Sequence, residues 1–317
     1  MNPPVRVDVL AVTLALLAAL ANGAASVLQR RAAVDQAACA LADDAPDAHR
    51  TVRHAVRRAV RLVRRPFWLA GASALGLSAL LQAAALAVGS MVVVQPLMAS
   101  ELLFTLLIGT VVFRQRPGGR TWLSFLMLGA GLTLFLTAAG PSPGESTGEA
   151  GTWLFVGACA ATAVAALLMV ARGARGTARV ASLGCATAVC FACTAGLVKE
   201  TAGRIQDGTA AVLTTGYPYA LCVVGLLSLA LLQSTLHAGT LAVSQPALTL
   251  GDALVSVVLG AVLFGERIAL EAHVLQAVTG ACLVAAGTVG LSRSPAVAEH
   301  WDTTATPPCE HPTDRDR

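Results

Sequence analysis

Nine apolar segments of about 20 residues each follow one another along this chain of 317 residues. A helix of 20 residues rises about 30 Å, which matches the hydrocarbon core of a bilayer. Charged residues make up 13% of the chain and hydrophobic residues 56%, so polar side chains are too few to cover a soluble domain of this size. The sequence therefore predicts an all-α, polytopic membrane bundle of about nine transmembrane helices. The predicted spans cover residues 7–28, 67–88, 91–113, 121–139, 152–171, 180–198, 212–233, 241–264 and 272–291.

The basic residues predict how the bundle lies in the membrane. With the amino terminus outside, 18 of the 22 lysines and arginines fall in segments on the inner side, as the positive-inside rule requires. The first span is not a signal peptide by this criterion, because Arg30 and Arg31 follow it whereas only Arg6 precedes it. The predicted location is a bacterial-type plasma (inner) membrane, with the amino terminus outside and the carboxyl terminus cytoplasmic.

Two segments are predicted to lie outside the bundle. The cytoplasmic loop at 29–65 carries arginines at helical spacing between Arg50 and Arg65, with valines on another face, which predicts a basic amphipathic helix on anionic lipid headgroups. Fixing the topology alone is the other explanation for these arginines. Residues 292–317 contain Pro307-Pro308 and alternating charge, so we expect a disordered cytoplasmic tail.

An internal repeat relates the third span to the eighth. Gln95-Pro96 matches Gln245-Pro246 at an offset of 150 residues, and beyond it an offset of 151 aligns Glu101 with Asp252. The same offset aligns four further pairs: Thr105 with Ser256, Gly109 with Gly260, Phe113 with Phe264, and Arg116 with Arg267. Because five spans, an odd number, separate the copies, corresponding helices cross the bilayer in opposite directions. The predicted transmembrane transporter domain, residues 1–291, thus contains an inverted-topology repeat, with one copy at about 7–139 and the other at about 180–291. Duplication of a purely structural bundle would leave a similar trace.

Glu101 and Asp252 are the residues most strongly suggested to bind a ligand. Each lies about 15 Å from one end of its span at 1.5 Å per residue, close to the middle of the bilayer. A carboxylate at that depth costs several kcal/mol unless it is protonated, hydrated or paired, and no basic residue lies at the same depth in any predicted span. We therefore expect a proton, a cation or a cationic solute there. A protonated acid that only hydrogen-bonds a neighbouring helix is the alternative.

Other polar residues are predicted to complete the binding site. On the eighth span, Gln245, Thr249 and Ser256 form one helical stripe with Asp252. Gln95 joins Glu101 only if the third span is kinked, and Pro96 and Pro246 are predicted helix breaks that free backbone carbonyls for an ion. Gln82 and Gln233 are predicted amides of the same cavity, with interhelical hydrogen bonding as the equal alternative. The sequence leaves open whether a metal binds.

Three motifs resemble those of the drug/metabolite transporter superfamily, in its EamA-like and NIPA-like branches. They are the polar end of the first span at 25–31, the V-x-x-P-L that ends at Leu97, and F-x-x-R, which begins at Phe113 and recurs as Phe264-Gly265-Glu266-Arg267. The resemblance implies transport of a small metabolite, a drug-like compound or a cation through a central cavity. NIPA-like proteins are linked to magnesium, which makes a divalent cation transporter the alternative; that branch usually has small residues where this chain has Glu101.

Other classes of function fit the sequence less well. The only lysine, Lys199, follows Val198, so no phosphate-binding G-K-[ST] loop exists and transport would not use ATP. The chain has no H-E-x-x-H motif, which argues against an integral-membrane enzyme; a non-transporting regulator stays open. We expect no cofactor and no nucleic-acid partner. Cys190-x-x-Cys193 is interpreted as packing, and Gly129 and Gly280 as close helix contacts or a homodimer interface.

Overall fold

The computed structural model describes residues 3–42, 66–113, 118–139, 144–205, 208–238, 241–266 and 274–293. Within these ranges the chain is helical and contains no strand. Nine described segments are long and apolar enough to cross a membrane, which confirms the predicted all-helical, multi-pass membrane class. The helices are α1 (Pro3–Ala42), α2 (Pro66–Val88), α3 (Met91–Met98), α4 (Glu101–Phe113), α5 (Gly119–Ala139), α6 (Ala150–Gly173), α7 (Thr177–Arg204), α8 (Thr209–Thr214), α9 (Tyr217–Ala238), α10 (Leu241–Phe264) and α11 (Val274–Ser292).

The first predicted span, 7–28, agrees with the membrane segment Val9–Gln29, and helix α1 continues beyond it to Ala42 because alanines and other good helix formers follow. Two other predicted boundaries are corrected. Helix α7 continues to Arg204 rather than ending at residue 198. The predicted span at 212–233 is divided, since Thr215 is extended and α9 begins only at Tyr217, where Gly216 and Pro218 favour a new helical start. The predicted amphipathic helix at Arg50–Arg65 and the tail from residue 294 lie outside the described residues.

The two prolines of the repeat have different effects. The third span is interrupted at Ala99 and Ser100, where the backbone N–H groups donate to carbonyls three residues earlier, at 3.1 and 3.0 Å. Pro96 lies in the last turn of α3 and lacks the N–H that would continue the regular pattern. The predicted kink is therefore present in this span. Helix α10, in contrast, continues through Pro246 without ending, so a helix break is not present there.

The helices pack as two groups and one long pair. Helix α1 packs against α2 and against both α3 and α4, while α7 packs against α6, α9 and α10. Helices α5 and α11 pack along their whole length against each other. At one of their contacts a Cβ on Gly280 would lie 2.6 Å from the backbone nitrogen of Phe135, so only glycine permits this approach. Gly129, which the sequence suggested as a contact, has open space around it.

Candidate functional site

Glu101 is placed by the interruption of the third span. It is the first residue of α4, and a helix amino terminus stabilises negative charge. The side chain of Asn22, on α1, donates a hydrogen bond to Glu101 Oε2. Glu101 is thus held between a helix terminus and an amide of the neighbouring helix, midway along the membrane segment Met91–Val112.

Asp252 lies midway along the 24 residues of α10. Ser256, one turn later and fully buried, points its Oγ toward Asp252 Oδ1 at 3.4 Å. A separation of 3.4 Å is long for a hydroxyl donating to a carboxylate, so Asp252 keeps most of its capacity to accept other hydrogen bonds or to bind a cation.

The fold brings the two acids together. Glu101 and Asp252 are close enough to interact electrostatically, although they lie on different helices. Both residues are half-buried. Cys193, on α7, lies near Asp252, so α1, α4, α7 and α10 all contribute a polar or polarisable group here.

The remaining predicted residues occupy different positions. Thr249 is half-buried and lies one turn from Asp252 on α10, and Gln82 is half-buried on the side of α2 where Ser78 donates to the carbonyl of Ala18. Gln95 is buried, and neither atom of its amide has a hydrogen-bond partner among the described residues. The side chain of Gln245 lies outside the described residues.

Gln233 lies away from the α7 side of its helix. It is exposed and shares one face of α9 with the exposed leucines Leu226 and Leu229. The opposite side of α9 packs on α7, where Thr187 and Thr235 hydroxyls lie 3.0 Å apart. The cavity role of Gln233 stays a prediction.

A second polar cluster, which we call the outer ion-pair cluster, consists of Lys199, Glu266, Ser90 and the first backbone N–H groups of α3. Lys199 is paired with Glu266, and the Glu266 carboxylate accepts hydrogen bonds from the backbone nitrogens of Met91 and Val92 and from Ser90 Oγ, each at 2.8 Å. Lys199 Nζ also lies 4.7 Å from the centre of the Phe264 ring. Glu266 thus caps α3 in place of the Ser90 side chain.

A neighbouring carboxylate, Glu200, serves a different part of the bundle. It accepts from the backbone nitrogen of Gly148 at 2.7 Å, from Trp153 Nε1 at 3.1 Å and from Arg204 Nε at 2.8 Å. These partners lie on α7 itself or at the start of α6, so Glu200 ties those two helices together.

Sequence reasoning missed Asn22, Cys193 and the outer ion-pair cluster. A signal was available for the cluster, since Lys199 is the only lysine and adjoins Glu200 at the end of an apolar segment. Asn22 is a lone amide within a long apolar segment, which marks a hydrogen-bonding position in a membrane helix. Among the described residues no group of three or more histidine, cysteine, aspartate or glutamate side chains could hold a metal ion.

These features define the class of the protein as a multi-pass α-helical membrane protein. No family model matches the chain, and no solved structure matches it. The chain is 27% identical over 205 residues to an uncharacterized protein of Corynebacterium glutamicum, and the match covers 64% of this chain and 70% of that protein.

Proposed function

We propose that this protein is a secondary transporter of a small cationic solute, or of a small metabolite coupled to protons or cations, and that Glu101 and Asp252 bind the positive charge. The observation that carries the proposal is the proximity of these two acids near the middle of their membrane segments, which we infer to line one cavity. Membership of the drug/metabolite transporter superfamily, with its inverted-topology repeat, is part of the same proposal.

The electrostatics of the cavity favour a positively charged ligand. Two ionised carboxylates in a medium of low dielectric constant repel each other, and each carries a cost of desolvation. The amide of Asn22 and the hydroxyl of Ser256 offset only part of that cost. A proton or a cation that neutralises one carboxylate would stabilise the site, and its release on the other side of the membrane would complete a transport cycle.

The packing pattern supports the inverted repeat. Helix α1 lies against α2 and the divided third span, and α7 lies against α9 and α10. In the proposed repeat, α1 corresponds to α7, α2 to α9, and the pair α3 and α4 to α10. The helices that pack on α1 in one copy thus correspond to helices that pack on α7 in the other. The fourth and ninth spans, α5 and α11, pair with each other, as the corresponding last helices of two copies would around a pseudo-two-fold axis.

Transport by purified protein in liposomes tests the proposal. A screen under an imposed proton gradient would include organic cations and magnesium, since the NIPA-like resemblance implies the latter. Glu101→Gln and Asp252→Asn keep the hydrogen-bonding shape but cannot ionise, and we expect each to lower transport by about tenfold or more, as loss of a charge-assisted interaction would. Because the acids share one cavity, the double variant should be little worse than the more damaging single one.

Glu149→Gln is the matched control, because Glu149 is an exposed acid whose side chain makes no capping hydrogen bond. Normal transport by Asp252→Asn, together with loss of transport in the control, would show that the cavity acids are not the binding site. An enzyme would convert a solute in this assay instead of moving it, and a regulator would do neither.

A further inference from the structure

Apolar contacts join the two helix groups at one end of the bundle. The largest buried apolar cluster draws residues from α1, α2, α3, α6, α7 and α10, among them Leu86, Met91, Ala195 and Phe264. This end contains the start of α3 and the last residues of α7 and α10, and the distribution of basic residues assigns it to the outside. We call it the outer end.

Toward the opposite end the apolar core divides in two. One cluster, including Leu102 and Leu106, joins α4 with α5 and α11 and is also contacted by Leu250 of α10, and a second one, including Ala186 and Leu231, joins α6, α7 and α9. Helix α4 packs chiefly on α1, whereas α3, the outer piece of the same span, packs on α10. The two groups therefore share a large apolar cluster at the outer end and are joined by fewer buried apolar residues toward the inner end.

The outer ion-pair cluster lies across this closed end. Lys199 and Glu266 are only 5% and 3% exposed. Lys199 Nζ also donates to the carbonyl of Gly89, at the end of α2, at 3.2 Å. The pair therefore connects α7 and α10 of one group to α2 and α3 of the other, and removal of either partner would leave a buried, uncompensated charge.

We propose that the Lys199–Glu266 pair is the latch of an outer gate: while it is formed, the cavity of Glu101 and Asp252 is closed to the outside, and when it separates, that end opens. The inference rests on the proposed transport function, which requires access from both sides in turn. Only Gly265, whose φ of 60° lies in the left-handed region, separates Glu266 from the end of α10. We therefore expect the Glu266 carboxylate to move together with α10.

The repeat explains why this end is the one held closed. At the position of Glu266 the other copy has Gln115, and at the position of Gly260 it has Gly109. A Cβ on Gly260 would lie 3.0 Å from Val92 Cγ2 and would also meet the Glu266 carboxylate, whereas a Cβ on Gly109 would meet nothing within 4 Å. The outer gate thus has a charged latch and close packing at Gly260, whereas Gly109 has open space around it and Gln115 lies outside the described residues.

Thiol accessibility tests the latch without any transported solute. In a background lacking the eight native cysteines, Ala195→Cys places a probe one turn below Lys199 within the closed cluster. We expect a membrane-impermeant thiol reagent added outside to label it at least about tenfold faster in Lys199→Met and in Glu266→Gln than in the parent, because each leaves one buried charge unpaired. Arg179→Met is the matched control, since Arg179 is an exposed basic residue near the start of α7 and its removal should change labelling by less than about twofold.

A second probe separates opening of a gate from loss of structure. Thr249→Cys lies on the inner side of Asp252, and its labelling from the cytoplasmic side should become slower when the outer gate opens. Unchanged labelling of Ala195→Cys in both latch variants, or faster labelling at both probes together, would overturn the latch. If labelling does not change in the latch variants while Asp252→Asn still loses transport, the latch is refuted and the transport proposal stands. If labelling changes as expected but the purified protein transports no solute, only the transport proposal is refuted.

Discussion

Gln95 is a buried polar residue that lowers the stability of the fold. It is 2% exposed, and both polar atoms of its amide lack a hydrogen-bond partner among the described residues. A buried, unsatisfied polar group costs roughly 1–3 kcal/mol. Such a group is best explained by a ligand or a water molecule that satisfies it during function.

Gln95→Met keeps the length of the side chain and removes the unpaired amide. We expect the free energy of unfolding to rise by about 1 kcal/mol and transport to fall, which thermal denaturation in detergent and flux in liposomes would measure.

Gln276→Met is the control for this substitution, because Gln276 Nε2 donates to Thr137 Oγ1 at 2.8 Å and the variant loses that hydrogen bond. The free energy of unfolding of Gln276→Met should be equal to or lower than that of the parent protein. A lower stability for Gln95→Met would contradict the view that its amide is unsatisfied in the resting protein.

At the scale of helices, glycine decides how closely α5 and α11 approach. An added Cβ on Gly280 would lie 2.6 Å from Phe135 N and 2.9 Å from its Cα, and one on Gly287 would lie 2.8 Å from Leu128 Cα. Association of membrane helices depends on packing of this kind, since lipid tails are as apolar as the side chains.

Gly280→Ala should therefore push α5 and α11 apart and destabilise the protein by about 1–3 kcal/mol, the usual cost of overpacking. Gly129→Ala, on α5 with open space around it, should be neutral or slightly stabilising because alanine favours helix. Melting temperatures of the two purified variants would test this pair; equal losses of stability would show that the glycine contact is unimportant.

At the scale of the whole molecule, contacts agree with alternating helix directions. The beginning of α3 meets the end of α10 and the end of α7 through the outer ion-pair cluster. The segment before α6 meets the same end, where Glu145 N donates to the carbonyl of Phe264 at 2.8 Å. Helices that alternate in direction place these four termini on one side.

Impermeant thiol labelling in intact cells can test which side this is. A cysteine at Ser146, exposed before α6, should be labelled from outside, and a cysteine at Thr177, exposed at the start of α7, only after the membrane is permeabilised. Cysteines at Asp47 and Thr306, outside the described residues, should behave like the one at Thr177. Labelling of Ser146→Cys and Thr177→Cys from the same side would contradict the predicted topology.

The sequence by itself determined the helical membrane class and the positions of the membrane segments, because length and hydrophobicity are local properties that a bilayer selects directly. It also showed that Glu101 and Asp252 are acids at membrane depth, where the cost of an ionised carboxylate holds in any arrangement of the helices; their binding role stays a prediction. The kink beside Pro96 was likewise predictable, since proline removes a backbone donor wherever it lies.

Only the tertiary structure decided which groups meet. Asn22 and Glu101 are 79 residues apart in sequence, and Lys199 and Glu266 are 67 apart. The outward direction of Gln233 and the continuity of α10 through Pro246 also depended on neighbouring helices. The packing of whole helices selects which residues meet across the bundle, and each residue contributes only a small part of that free energy. The Asn22–Glu101 and Lys199–Glu266 pairs therefore could not be predicted from the spacing of residues along one segment.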